Sequence, residues 1–141
     1  MLSEVEKILH NGEEFAIILS NEKTIDGVEF YTKQEYPFQM GGQTREAGEE
    51  VKAHIHRPVK REITHAQEII HLDYGKVEVE FLDENFNLIS KSVLTSGDTA
   101  LFVKGGHKFK FLEKTKLIEV KQGPYEGVEK DKRFKTEPST Q

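Results

Sequence analysis

The chain reads as an all-β protein of the sandwich or barrel kind, and three observations carry that reading. Between residues 68 and 121, short apolar-rich segments recur at about 8–12 residue spacing, the rhythm of antiparallel strands joined by tight turns. Within them apolar and polar residues alternate, most plainly where Val77, Val79 and Phe81 interleave with Lys76, Glu78 and Glu80; a period of two gives one apolar and one polar face. Turn-forming clusters separate the segments: Asp73-Tyr74-Gly75, Asp83-Glu84-Asn85, Ser96-Gly97-Asp98 and Gly105-Gly106.

The elements follow in order. Ser3-Glu4-Val5-Glu6 has the form of a capping box. It predicts a short N-terminal helix with Val5, Ile8 and Leu9 on one face, ending near Asn11-Gly12. Residues 15–19 are a short apolar run, 28–31 a second extended segment, and 24–27 the turn between them. Strands are then expected over 68–72, 76–82, 88–94, 99–103, 107–112 and 116–121. Glu68, Ile70 and Leu72 share one alternating face, which places that carboxylate on the core side and His71 on the opposite side.

Composition narrows the function classes. At 141 residues the chain is expected to form one domain over 1–130, followed by a polar, mobile tail over 131–141 that contains Pro138. Hydrophobic residues make up 35% and charged residues 32%, and nine Phe supply core material, so a folded chain is expected. A formal charge of -5 argues against nucleic acid or an anionic membrane surface as a partner. No apolar run approaches the roughly 20 residues needed to span a bilayer. Met1-Leu2-Ser3-Glu4 lacks the basic region of a secretory signal, and a cytoplasmic location is the expectation. Without cysteine there is no disulfide, thiolate ligand or thiol nucleophile.

His54-Ile55-His56 is the strongest chemical signal. On a strand, histidines at i and i+2 place both rings on one face about 7 Å apart, close enough to converge on one ion. A carboxylate from a neighbouring strand and a third imidazole, His107, complete a mixed nitrogen and oxygen site for a divalent metal.

The spacing of these residues resembles a known family. Gly48, His54-x-His56, Glu68 and Gly75 resemble the first conserved motif of the cupin superfamily, and Gly97, Val103-x-Gly105 and His107 resemble the second. The likeness spans roughly residues 35–122. It implies a double-stranded β-helix, a small jelly-roll barrel whose open interior holds the site. It also implies that His54, His56, Glu68 and His107 ligate a divalent ion such as Fe, Mn, Ni or Zn. The segment 57–67 is longer than the family's spacing, Val103 stands at a usual proline, His107 comes one residue early, and Phe111 replaces a frequent asparagine. Glu62 is the alternative carboxylate; Glu68 is preferred for its distance to Gly75 and its place on the core face. The ending, Glu119 through Tyr125 and then Lys132-Arg133-Phe134, is similar to that of a group of small single-domain bacterial cupins.

The activity implied is that of a metal-dependent isomerase or dioxygenase acting on a small polar molecule. A non-catalytic small-ligand or metal-binding module is the alternative, as is a metal-free sugar-nucleotide modifying cupin with His and Tyr as acid and base. A homodimer formed through the N-terminal helix and first strands is expected. Arg45, Lys52, Lys60 and Arg61 are either solvated charges or anion binders at the mouth, and Gln39, Gln67, Gln122 and Tyr125 are either pocket or surface groups. His65 and His71 are read as structural or solvated, and His10, in the expected terminal helix, carries no signal.

Overall fold

Asn11 and Gly12 both adopt left-handed backbone, with φ of 50° and 77°, and this pair decides the architecture of the N-terminus. Two consecutive positive-φ residues make the tight turn whose twist suits two antiparallel strands. It joins β1 (Val5–His10) to β2 (Glu13–Leu19), with Val5 opposite Leu19 and His10 opposite Glu13. The expected N-terminal helix is therefore corrected to a strand, and its Ser3 cap lies outside the described residues, which in this computed structural model are 4–135. Asn-Gly suits a helix end and a hairpin alike. The apolar run of β2 decides between them, because pairing satisfies both backbones and buries Ile8 against the core.

The remaining elements are β3 (Val28–Phe30), β4 (Gly41–Gln43), β5 (Glu68–Tyr74), β6 (Lys76–Leu82), β7 (Leu88–Thr95), β8 (Thr99–Phe102), β9 (Gly106–Phe111), β10 (Lys116–Lys121) and a single helical turn, α1 (Val128–Asp131). Every pairing is antiparallel. One sheet has the order β1-β2-β8-β5-β10, a second the order β7-β6-β9, and β3 and β4 form a small ribbon; among the described residues no sheet closes on itself. The chain is thus all-β, and the six strands expected between residues 68 and 121 all form.

The inner faces of the two larger sheets meet in the main core. Ile18, Ile70, Leu72, Val77, Val79, Phe81 and Leu94 are fully or almost fully buried there. Val77, Val79 and Phe81 are the alternating set of β6, as the period of two requires. A second cluster covers the other face of the five-stranded sheet, where Ile17, Leu101 and Val103 pack with Met40, Tyr36 and Phe38. Consecutive apolar residues in β2 follow from this: Ile17 faces one cluster and Ile18 the other. Tyr36 is tied down by donating a 2.6 Å hydrogen bond to Glu14, whose other oxygen pairs with Lys7 at 2.9 Å. Among the described residues no helix is long and apolar enough to cross a membrane.

Candidate functional site

Two strands on opposite sheets bring the site together. On β5, Glu68 precedes Ile70 and Leu72 on the core-facing side, as alternation demands. On β9, His107 lies opposite Phe81 and Phe109 opposite Val79, so both rings face the same core. His107 Nε2 stands 3.8 Å from Glu68 Oε1.

Local sequence holds each group in place. Gly105, at φ 74°, lets the chain pass where a β-carbon would strike the Leu82 carbonyl oxygen and the Phe15 ring, and the strand carrying His107 starts immediately after it. Gln67, only 3% exposed, anchors the start of β5. Its backbone N–H donates to Gln122 Oε1 at 2.8 Å, its side-chain oxygen accepts from Phe38 N at 3.1 Å, and its Nε2 donates to the Val103 carbonyl at 3.4 Å. Of the three glutamines singled out from the sequence, Gln67 and Gln122 thus position Glu68.

His107 packs against two rings and keeps 29% of its side chain exposed. Its centroid lies 4.2 Å from that of Phe102 and 5.0 Å from that of Phe109, the latter nearly parallel at 16°. Burial among these rings, with a smaller effect of the Lys132 ammonium, pushes its pKa down to about 4. Burial, and then the Glu119 carboxylate, push the Glu68 carboxyl up, while Lys121 and Lys132 oppose them. At neutral pH the pair is therefore an uncharged imidazole beside a carboxyl group. It is not an ion pair, and 3.8 Å is too long for a hydrogen bond.

Around this pair opens a cavity of about 600 Å³, lined by Phe86, Phe109, Phe134, Glu119, Lys121 and Lys132 among others. The stretch from α1 to Lys135 borders it. Asp131 pairs with Lys121 at 2.9 Å, Arg133 donates to the Glu84 carbonyl at 2.7 Å, and the Arg133 guanidinium lies 4.7 Å over the Phe86 ring. Of the expected tail, residues 131–135 thus flank the cavity, and 136–141 lie outside the described residues. A more open cavity of about 750 Å³ lies near Asp98. That acid already accepts from Asn21 N at 2.7 Å and Thr95 N at 2.8 Å, which closes a turn. The His107 cavity is the better candidate because a neutral base and an acid face each other in it.

His54 and His56 are placed elsewhere. Residues 51–63 form no strand, and both histidines are exposed. The two rings sit 5.3 Å apart, and His54 Nδ1 donates to the Lys52 carbonyl at 2.8 Å. The strand expected beneath them is corrected to an irregular segment with no strand partner among the described residues. Pro58 cannot donate to a ladder, and the charges of Lys52, Arg57, Lys60 and Arg61 are solvated more favourably than buried. Glu62 is exposed and 3.7 Å from Lys60, away from the cavity. His71 points outward as expected and bonds Thr99 Oγ1 at 2.8 Å.

The four residues expected as ligands therefore fall into two pairs. Among the described residues no three His, Asp or Glu side chains gather as a metal-holding group, so as placed these residues do not fit a single four-ligand ion. Sequence reasoning missed Phe102, Phe109 and Lys132. The alternation His107-x-Phe109-x-Phe111 was the available signal for the stacked ring; nothing local pointed to Lys132. The chain matches no family model, and no curated protein or solved structure matches it.

Proposed function

We propose that this chain is a jelly-roll protein of the cupin type that binds a small polar molecule between its two sheets, in the cytoplasm, with His107 and Glu68 engaging the ligand. One observation carries the reading: an uncharged imidazole, packed against two phenylalanine rings, faces a carboxyl group 3.8 Å away in a cavity of about 600 Å³. Small-molecule sites combine apolar walls with a few convergent polar groups in this way. An imidazole that stays neutral at physiological pH accepts a proton from a bound hydroxyl or activated carbon, and the opposite carboxyl group receives or returns one. The chemistry that follows is isomerisation or simple binding without a metal.

The test uses protein purified without an affinity tag and labelled in its histidine rings. Against a panel of sugars, sugar acids and small carboxylic acids, at least one compound is expected to shift the His107 ring signals. That shift is expected to disappear in Glu68→Gln. If no compound moves the His107 signals, the reading fails.

The metal centre of His54, His56, Glu68 and His107 is the second reading. It is favoured by the 5.3 Å approach of the first two rings on one segment and by the neutral state of the third, which is the ligating form of imidazole. It requires residues 51–63 to carry both rings to the cavity. Elemental analysis of tag-free protein, with titrations of Fe, Mn, Ni and Zn, tests it; dioxygenase chemistry belongs to this reading alone.

A further inference from the structure

Resting on the pocket reading above, we infer that the ligand between the sheets is a small organic anion. Its carboxylate or phosphate group sits against the Lys132 ammonium, and its carbon body lies among the rings beside His107.

The chain is acidic, with a formal charge of -5, but the wall of this cavity is not. Of its cations, Lys108 and Lys121 are already matched, to Glu80 at 3.7 Å and to Asp131 at 2.9 Å. Lys132, Arg133 and Lys135 remain, and they enter no ion pair among the described residues. Against them stand Glu68 and Glu119. Burial, and then the Glu119 carboxylate, disfavour the charge on Glu68, which weakens the acidic side further. The local balance is positive where the whole chain is negative, and such a mouth draws an anion.

An exposed lysine is most often simply hydrated, and local structure separates Lys132 from that case. Both of its neighbours are fastened, and to opposite sheets. Asp131 is held by Lys121 on β10, and Arg133 donates to the Glu84 carbonyl at 2.7 Å, in the turn after β6. The Arg133 guanidinium also lies 4.7 Å over the Phe86 ring. Lys132 itself donates its backbone N–H to the Val128 carbonyl at 2.8 Å. Its side chain therefore starts from a fixed base, and less freedom is lost when an anion binds. The Lys132 charge reaches both polar groups of the site, since it lowers the pKa of His107 and of Glu68. Phe86, Phe109 and Phe134 give the carbon body an apolar wall, and about 600 Å³ is ample for a six-carbon acid.

Two matched sets of compounds test this: glucitol, gluconate and glucitol 6-phosphate on one body, and benzamide, benzoate and phenyl phosphate on another. Each is titrated into tag-free protein labelled in its histidine rings, at low and at raised salt. In at least one set an anion is expected to shift the His107 ring signals at concentrations where its neutral counterpart does not. Raised salt is expected to weaken that binding, and the tighter of the two anions identifies the group. Lys132→Gln is expected to weaken it by about tenfold or more, while Lys132→Arg retains it. Lys110→Gln removes an equal charge from β9 at a position that does not line the cavity, and is expected to change it little. A neutral compound that binds as tightly as both its anions overturns the inference and leaves the pocket reading standing. So does anion binding that Lys132→Gln leaves intact. Silence from all six compounds removes both. The comparison of neutral and charged compounds uses the unmodified chain, so it decides even if a variant does not fold.

Discussion

Glu68 and His107 belong to different sheets and lie far apart in sequence, yet their side chains approach to 3.8 Å across the end of the core. The rings of Phe102 and Phe109 cover part of that imidazole, whose side chain remains 29% exposed. Most of the expected behaviour of the site follows from this packing.

His107 is expected to titrate with a midpoint of about 4 in the folded protein, against an ordinary value near 6.5. Between those values the unfolded chain binds the proton that the folded chain refuses, so stability falls as the pH drops from about 6.5 to about 4. The loss is smaller than the roughly 3 kcal/mol an unscreened shift of that size implies, because the ring is partly exposed to solvent. Glu68 works in the opposite sense: its raised pKa lowers stability as the pH climbs above its ordinary range. Imidazole chemical shifts followed over pH, with urea denaturation at each pH, check both signs. A His107 midpoint near 6.5 would refute the desolvation of the ring.

Removing one remote charge is expected to move both groups the same way. Lys132 helps hold the His107 pKa down and also pulls the Glu68 pKa down. In Lys132→Ala both midpoints rise. Parallel titrations of the ring and the carboxyl carbon read this directly, and an unchanged His107 midpoint would separate Lys132 from the site.

Gly105→Ala is expected to destabilise the fold and displace His107. The substitution costs about 1 kcal/mol or more for the left-handed backbone, with a clash against the Leu82 carbonyl added to it. Denaturation midpoints and the His107 ring shifts report the two effects separately.

Tyr36→Phe tests how the 31–40 segment is fastened. Burial pushes the Glu14 carboxyl up, but bonds from Tyr36 and Lys7 outweigh it and hold the group below its usual range. Losing the 2.6 Å bond to a nearly buried carboxylate is expected to cost about 1.5–3 kcal/mol at neutral pH. The difference from the unmodified chain shrinks as the pH falls and Glu14 protonates. Chemical denaturation at pH 7 and pH 4 checks magnitude and trend.

Much of the β structure was legible in the residues. Lys76–Leu82 and Lys116–Lys121 form at the expected bounds, because alternation and turn residues are local signals. The inward face of Glu68, Ile70 and Leu72 was equally readable, since a strand's period of two assigns all three together. Gly75, Gly97 and Gly105, placed in turns from the sequence, have positive φ. The N-terminal element was misread because Asn11-Gly12 suits both a helix end and a hairpin, and the choice rests on what β2 offers as a partner.

By itself, then, the sequence determined which segments extend, where they turn and which side of β5 carries the acid. Only the tertiary structure decided that His107 rather than His54 or His56 meets Glu68, that two phenylalanine rings keep it uncharged, and that residues 131–135 border the cavity. The physical reason is range. Backbone preference and side-chain alternation act over a few neighbouring residues, whereas the distance between groups on separate sheets depends on how those sheets pack.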